Sequence, residues 1–303
     1  ADICRVGSRV EAQSEQDGDF KRMKERTLSF ANAAADVRRA EIPGVLVITG
    51  ASSGIGAALA KHYARPGRIL GLIARDRDRL ESIANECKSV GAHVMIGCID
   101  IRDAAAIEQW LLEFDDRNPV DLVIVNAGIL LGSLEDSHES LDVTRAQIDT
   151  NLIGALNTST PLIGRMERRG SGQIAFTGSL GALAPHPDWP GYCATKAAIS
   201  TYATMLRERM RGSGVKINVI APGWVTAPIN DPYSMWRPFE ISAEEAAMRI
   251  ARGLERDRAL IAFPWPLVVS ALISRLFPAP LRRMGYRVFR ASHLKAPTNA
   301  PRG

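Results

Sequence analysis

Val45-Leu46-Val47-Ile48 is an uncharged run in which three side chains are β-branched, and it passes without a break into Thr49-Gly50-Ala51-Ser52-Ser53-Gly54-Ile55-Gly56. A strand with one wet face alternates polar and apolar positions. This run does not, so both of its faces are expected to be covered. After the glycines, Ala58, Leu59 and Tyr63 fall on one helical face. Short apolar runs return at 69–73, 93–98, 121–125, 172–177, 215–220 and 259–263, with helical periodicity between them. Neighbouring parallel strands need long crossovers, and helices supply them. The chain is therefore predicted to be α/β: a doubly wound parallel sheet of about seven strands with helices on both faces. One domain is expected over 41–264. A polar extension precedes it (1–40, with one helix around 20–38), and a helical extension, apolar and then basic, follows it (265–303). A long helical region is expected over 137–169, and Ser242-Ala243-Glu244-Glu245 is a capping box opening a helix to about Glu255.

The glycine turn carries the first chemistry. Strand, glycine-rich turn and helix in succession make a nucleotide site, because the helix start offers free N–H groups and a positive dipole end to phosphates. Gly50 suits the tight turn, Gly54 the approach of backbone to a pyrophosphate, and Gly56 the packing of helix on strand. Ser52, Ser53 and Ile55 join them as candidate contacts. The second strand ends in Ala74-Arg75, where an acid binds a free ribose 2′-hydroxyl and an arginine accommodates a 2′-phosphate. The first acid, Asp76, is one position late, so NADP(H) is favoured over NAD(H). The competing reading of Arg75 is the start of a solvated Arg-Asp-Arg-Asp-Arg run. Asp100 and Ile101 follow the third strand, where an acid can meet the adenine amino group. Asn126-Ala127-Gly128 closes the fourth strand in a small turn that can lie flat against a cofactor.

Tyr192 and Lys196 stand one helical turn apart. A neighbouring ammonium favours the phenolate, so the pair is expected to lower the tyrosine's pKa toward the range general acid–base chemistry uses. Taken alone, the spacing is better read as a solvated helix face. Upstream, Asn151 is a polar residue among apolar neighbours in a predicted helix, and Ser179 follows the fifth strand. The four cysteines (Cys4, Cys87, Cys98, Cys193) have neither metal-ligand spacing nor a disulfide framework, and no metal site is expected.

Together these motifs resemble the short-chain dehydrogenases/reductases, in their short single-domain form, over roughly residues 42–263. The resemblance implies a Rossmann-like fold and a catalytic tetrad of Asn151, Ser179, Tyr192 and Lys196. It also implies cofactor contacts from Tyr192, Lys196, Pro222, Gly223, Val225 and Thr226. The family's Pro-Gly-x-Val-x-Thr string departs here: Thr226 comes one residue early and Ala227 takes its place. In the implied mechanism a hydride passes between a nicotinamide and a substrate carbon. Tyr192 donates a proton, Ser179 holds the substrate oxygen, Lys196 lowers the tyrosine pKa and holds the ribose, and Asn151 anchors a water. The expected function is an NADP(H)-dependent oxidoreductase acting on a carbonyl or secondary alcohol, assembled as a homodimer or homotetramer. The alternative is a non-catalytic NADP-binding scaffold or sensor, against which the complete tetrad argues. The aromatics of 227–241 fall where this family's substrate lid lies and suggest a hydrophobic or lipid-like ketone.

The formal charge of +5 is unevenly spread: no acidic residue follows Asp257, whereas Arg258, Arg275, Arg282, Arg283, Arg287, Arg290, Lys295 and Arg302 do. Such a tail suits an anionic surface or is a loose solvated end. No nucleic-acid motif accompanies it. Leu267 to Phe277 is an apolar helix too short to span a bilayer, with Trp265 before it and arginines after it. It suits a membrane interface, a cover over the substrate pocket, or a subunit contact. With no apolar leader at the start, the expected location is cytoplasmic, with peripheral contact at the inner face of a membrane.

Overall fold

The computed structural model describes residues 44–132, 138–230, 233–234, 236–274, 276–278, 280 and 292–293. The expected helix around 20–38 and most of the basic tail lie outside them. The first strand, β1 (Val45–Thr49), runs through the glycine turn into α1 (Gly54–Tyr63). β2 (Ile69–Ala74), α2 (Arg77–Ser89), β3 (His93–Cys98), α3 (Ala104–Arg117) and β4 (Leu122–Val125) follow. Next come α4 (Leu141–Ile148), a π-helical turn (Asp149–Ile153), α5 (Gly154–Arg169), β5 (Gly172–Thr177), α6 (Pro190–Arg209) and β6 (Val215–Pro222). The chain closes with β7 (Tyr233–Ser234), α7 (Ala243–Glu255), β8 (Leu260–Phe263), α8 (Trp265–Ser274) and β9 (Ser292–His293).

Seven strands form one parallel sheet in the order β3-β2-β1-β4-β5-β6-β8. The pleat of β1 shows why its run had to be apolar throughout. Leu46 and Ile48 join Leu70, Leu72 and residues of α1, α2 and α7 in one core. Val47, pointing the other way, joins Val123, Phe176 and residues of α3, α5 and α6 in a second. The order of strands reverses between β1 and β4, and the crevice beyond their C-terminal ends is where open α/β sheets bind ligands.

Local chemistry sets the helix ends. Ser242 accepts from the Glu245 N–H at 3.1 Å, as the capping box predicts, and α7 ends at Glu255. The helical region expected from 137 begins instead at Leu141, because Ser140 caps it through the Val143 N–H at 3.3 Å. It then continues to Arg169 with a single π-helical interruption around Asn151. A separate two-stranded ladder pairs β7 antiparallel with β9, Tyr233 opposite His293. The segment between β6 and α7 is thereby tied to the C-terminal part of the chain.

Candidate active site

A cavity of about 800 Å³ opens at the C-terminal ends of β1, β2, β4, β5 and β6. Gly50, with φ 69°, makes its floor: a Cβ there would stand 2.9 Å from the Ala127 Cα. Gly56 faces the turn itself, and a Cβ would reach within 2.1 Å of the Gly50 carbonyl oxygen. Only glycine lets α1 start this close to the strand. Gly50, Ser52, Ser53, Gly54 and Ile55 all line the cavity, whereas Gly56 serves the packing behind it. The first turn of α1 has no side-chain cap and no acid, so its N–H groups and dipole end are left for an anion. The buried Thr177 Oγ1, on the cavity wall, has no hydrogen-bond partner. Both features fit the pyrophosphate and ribose of a dinucleotide.

The ends of β1 and β4 are tied together. Thr49 Oγ1 accepts from the N–H groups of Asn126 (3.1 Å) and Ala127 (3.2 Å), and Asn126 Nδ2 donates to the Thr49 carbonyl at 3.1 Å. Asn126, Ala127 and Gly128 all border the cavity. At the far end, Asp76 spends its carboxylate on the α2 N-cap, accepting from the Arg79 N–H at 3.1 Å, and on an ion pair with Arg79. It is thereby removed as a ribose ligand. Arg75 and Arg79 line that end together. Asp100 borders it too, but Arg102 clasps its carboxylate in a bidentate grip, with Nη2 at 2.6 Å, and Arg75 Nη1 stands 3.7 Å away. The bonds from Arg102 hold this carboxyl below the usual carboxylate range. Ile101, buried, completes this wall.

The tetrad residues converge. Asn151 sits in the π-helical turn, 1% exposed. Its Oδ1 accepts from the Ile129 N–H at 2.7 Å, and its Nδ2 donates to the Ile129 carbonyl and to Thr195 Oγ1. The amide bonds protein partners on both its atoms. It clamps the loop after β4 onto α6, which is also why a mid-helix asparagine is tolerated here. Ser179 Oγ accepts from the Gly181 N–H at 3.0 Å and lines the cavity together with the Tyr192 phenol. Lys196, 4% exposed, donates from Nζ to the Thr177 carbonyl at 2.8 Å and lies 5.8 Å from the centre of the Tyr192 ring.

The electrostatics correct one expectation. Loss of hydration pushes the Tyr192 phenol up, to about 12, against the smaller downward pull of the Ser179 hydroxyl. The same effect pushes the Lys196 ammonium down, to about 8. The expected lowering of the tyrosine by its companion does not occur. Lys196 lies over the ring with its ammonium turned to a carbonyl, and both groups lose hydration in the same wall. The phenol is therefore held protonated, ready to give a proton rather than take one.

Pro222, Gly223 and Val225 line the cavity. Thr226 does not: it is exposed, its N–H donates to the Ile241 carbonyl at 2.9 Å, and Ala227 takes the inward place. The carboxamide contact expected of Thr226 is accordingly dropped. The one-residue shift in the string turned its side chain away. The substrate end holds residues that no motif announced: Leu130, His186, Trp189 and Cys193, and from α8 Leu267, Ser270, Ala271 and Ser274 with Phe277 beyond it. Ser270 and Ser274 spend their hydroxyls on carbonyls of their own helix, so this wall is apolar in effect. The apolar pattern of 267–277 was the one signal of it. Among the described residues no group of side chains is placed to hold a metal.

Comparison with known proteins agrees with this geometry. The family model for short chain dehydrogenases matches residues 44–238. An uncharacterized oxidoreductase of Myxococcus xanthus is 30% identical over 236 residues, which is 78% of this chain and 93% of that protein. A short-chain dehydrogenase from Sphingobium yanoikuyae, solved with NADPH, superposes with a TM-score of 0.65 at 25% identity, covering 81% of this chain and 96% of that one. A short chain dehydrogenase from Mycobacterium paratuberculosis, bound to NAD, also gives a TM-score of 0.65, at 19% identity over 74% of this chain and 96% of that one. With its strand order, its glycine turn and its converged serine, tyrosine and lysine, the chain belongs to the short-chain dehydrogenase family of oxidoreductases, whose fold binds a nicotinamide cofactor.

Proposed function

We propose that this protein is an NADP(H)-dependent carbonyl reductase that passes hydride between the nicotinamide and a hydrophobic ketone or its secondary alcohol. The observation that carries this reading is Tyr192: a half-buried phenol held protonated, with Lys196 over its ring, on a cavity that Ser179 and the glycine turn also line. Hydride donation and acceptance are what a bound nicotinamide supplies. The chain's residues do the rest. Ser179 holds the substrate oxygen in line, and Tyr192 gives that oxygen its phenolic proton as negative charge develops there. The Lys196 ammonium then faces the phenolate left behind, so it acts on the transition state even though it does not ionise the resting phenol. Asn151 keeps the loop 127–129 and α6 in register, so that the donor stays aimed.

NADP(H) is favoured over NAD(H) by Arg75 and Arg79 on the cavity wall and by the loss of Asp76 to helix capping. The solved relatives hold one cofactor or the other, so the side chains of this chain carry the choice. The same reading includes assembly as a homodimer or homotetramer and peripheral contact with a membrane. Turnover of a panel of hydrophobic ketones with NADPH, followed by cofactor absorbance, tests it. Tyr192→Phe is expected to lower kcat by about 10²–10⁴-fold, the usual worth of a positioned proton donor, while NADPH still binds. Comparable rates in both proteins would refute the assigned acid, and no turnover by either with tight NADPH binding would favour a sensor.

A further inference from the structure

Gln147 repeats, four residues earlier, what Asn151 does. Asn151 joins Ile129, on the loop after β4, to Thr195 on α6. Gln147 is also a fully buried amide, in α4. Its Oε1 accepts from the Leu131 N–H at 3.2 Å, and its Nε2 donates to Glu139 Oε1 at 3.2 Å. That carboxylate oxygen also accepts from the Thr144 hydroxyl at 2.7 Å. It lies against Gly191, the residue before Tyr192: a Cβ on Gly191 would come within 2.1 Å of Glu139 Oε1 and 2.9 Å of Gln147 Nε2. α6 starts with no side-chain cap and no acid in its first turn, so its positive dipole end meets this carboxylate from another part of the chain. Glu139 Oε2 is buried with no hydrogen-bond partner among the described residues, which leaves Gln147, Thr144 and the helix end to offset the charge.

The two amides therefore hold the same loop and the same helix at two heights. Between the loop anchors, Ile129 and Leu131, stands Leu130, which lines the cavity and packs on Trp189. Between the helix anchors, Gly191 and Thr195, stands Tyr192, which packs on both. One clamp leaves two elements free to pivot about it, and a second, a turn away, fixes their angle. Filling the space alone would be served as well by an apolar side chain at 147, with no buried carboxylate to satisfy. We propose that Gln147 and Glu139 are positioning residues that fix the apolar substrate wall, Leu130 and Trp189, against the proton donor Tyr192. The catalytic clause rests on the reading of Tyr192 as the acid of a ketone reductase; the clamp does not.

Kinetics of the full chain at saturating NADPH test the first clause. Gln147→Leu fills a similar space and loses both bonds. It is expected to lower kcat for a hydrophobic ketone by about 10- to 100-fold, the order that a displacement of about 1 Å costs, and to raise KM, with the Kd for NADPH unchanged. The exchange Gln147→Glu/Glu139→Gln keeps the bonds and moves the charge, the Thr144 hydroxyl turning from donor to acceptor. It is expected to recover both constants. A Gln147→Leu enzyme that loses only Tm and keeps kcat and KM overturns the inference, as does an exchange variant no better than Gln147→Leu. Should Gln147→Leu misfold, Gly191→Ala reads the same contact, because alanine suits a helix while its Cβ displaces the carboxylate. The same split is expected there, and parent values would overturn the inference. Hydrogen exchange in the peptide 128–132 scores the clamp without turnover. It is expected to be about tenfold faster in the variant, with β1 and β4 unmoved. A parent that reduces no ketone thus strikes the reductase reading alone, and equal exchange in parent and variant strikes the clamp.

Discussion

The two ends of the cavity are built by different means. The cofactor end uses backbone and short polar side chains from a stretch of the chain running from β1 to the loop after β4. Its parts are locked to one another: Thr49 to Asn126 and Ala127, Asp76 to the start of α2, Asp100 to Arg102. The substrate end is assembled from side chains far apart in sequence, from Leu130 through Trp189 to Phe277, and what holds them is mostly apolar contact. Directional bonds give the first end one geometry. Non-directional contacts let the second vary in shape while the sheet stays the same.

The contrast can be broken by substitution. The largest effect is expected at the glycine turn. Gly56→Ala puts a methyl group 2.1 Å from the Gly50 oxygen, where only backbone can yield. A loss of about 1–3 kcal/mol or more is expected, read as a lowered Tm together with weakened NADPH binding. If Tm and Kd both hold, the turn is not the rigid element described. Arg75→Asp should come next. It brings an acid to the ribose and removes a cation, and a shift of NADPH-over-NADH preference by about 10- to 100-fold is expected, in line with charge-assisted phosphate contacts. An unchanged preference in kcat/KM would move the cofactor choice elsewhere.

At the junction of the two ends the test is pH. Below about 8 Lys196 carries its charge and supports the phenolate formed as Tyr192 gives up its proton; above it that support is lost. The reductive kcat is therefore expected to be flat below about pH 8 and to fall above it, and Lys196→Arg should carry the descending limb upward, because arginine stays charged. A limb in the same place in both proteins would assign it to another group. The smallest effect is expected at the substrate end. Leu267→Ala should raise the KM for a hydrophobic ketone by about tenfold. NADPH affinity should stay unchanged in a fluorescence titration. A parallel loss of both would mean that the ends are not separable.

The same contrast explains what could be read before any coordinates. The seven strands, their parallel pairing and the glycine turn were legible because they rest on local rules: β-branched runs buried on both faces, and a conformation that only glycine adopts. Asn151, Ser179, Tyr192 and Lys196 were recognised together by their order along the chain. Their electrostatics were not, since the pKa of Tyr192 depends on burial by elements remote in sequence, and spacing along one helix shows only the nearest charge. Thr226 failed for a related reason. One residue of offset in an extended segment reverses which side a side chain faces. His186, Trp189 and the inner face of α8 could not be foreseen, because loops and a C-terminal helix reach the substrate end only through the tertiary fold.

The placement of α8 after the last strand of the sheet has a bearing on biosynthesis. A growing chain released as far as Pro264 already has all seven sheet strands and every member of the tetrad, yet one side of its substrate chamber is still missing. The wall that α8 supplies is thus synthesised after the sheet and the tetrad, and it lies outside the residues 44–238 that the family model matches.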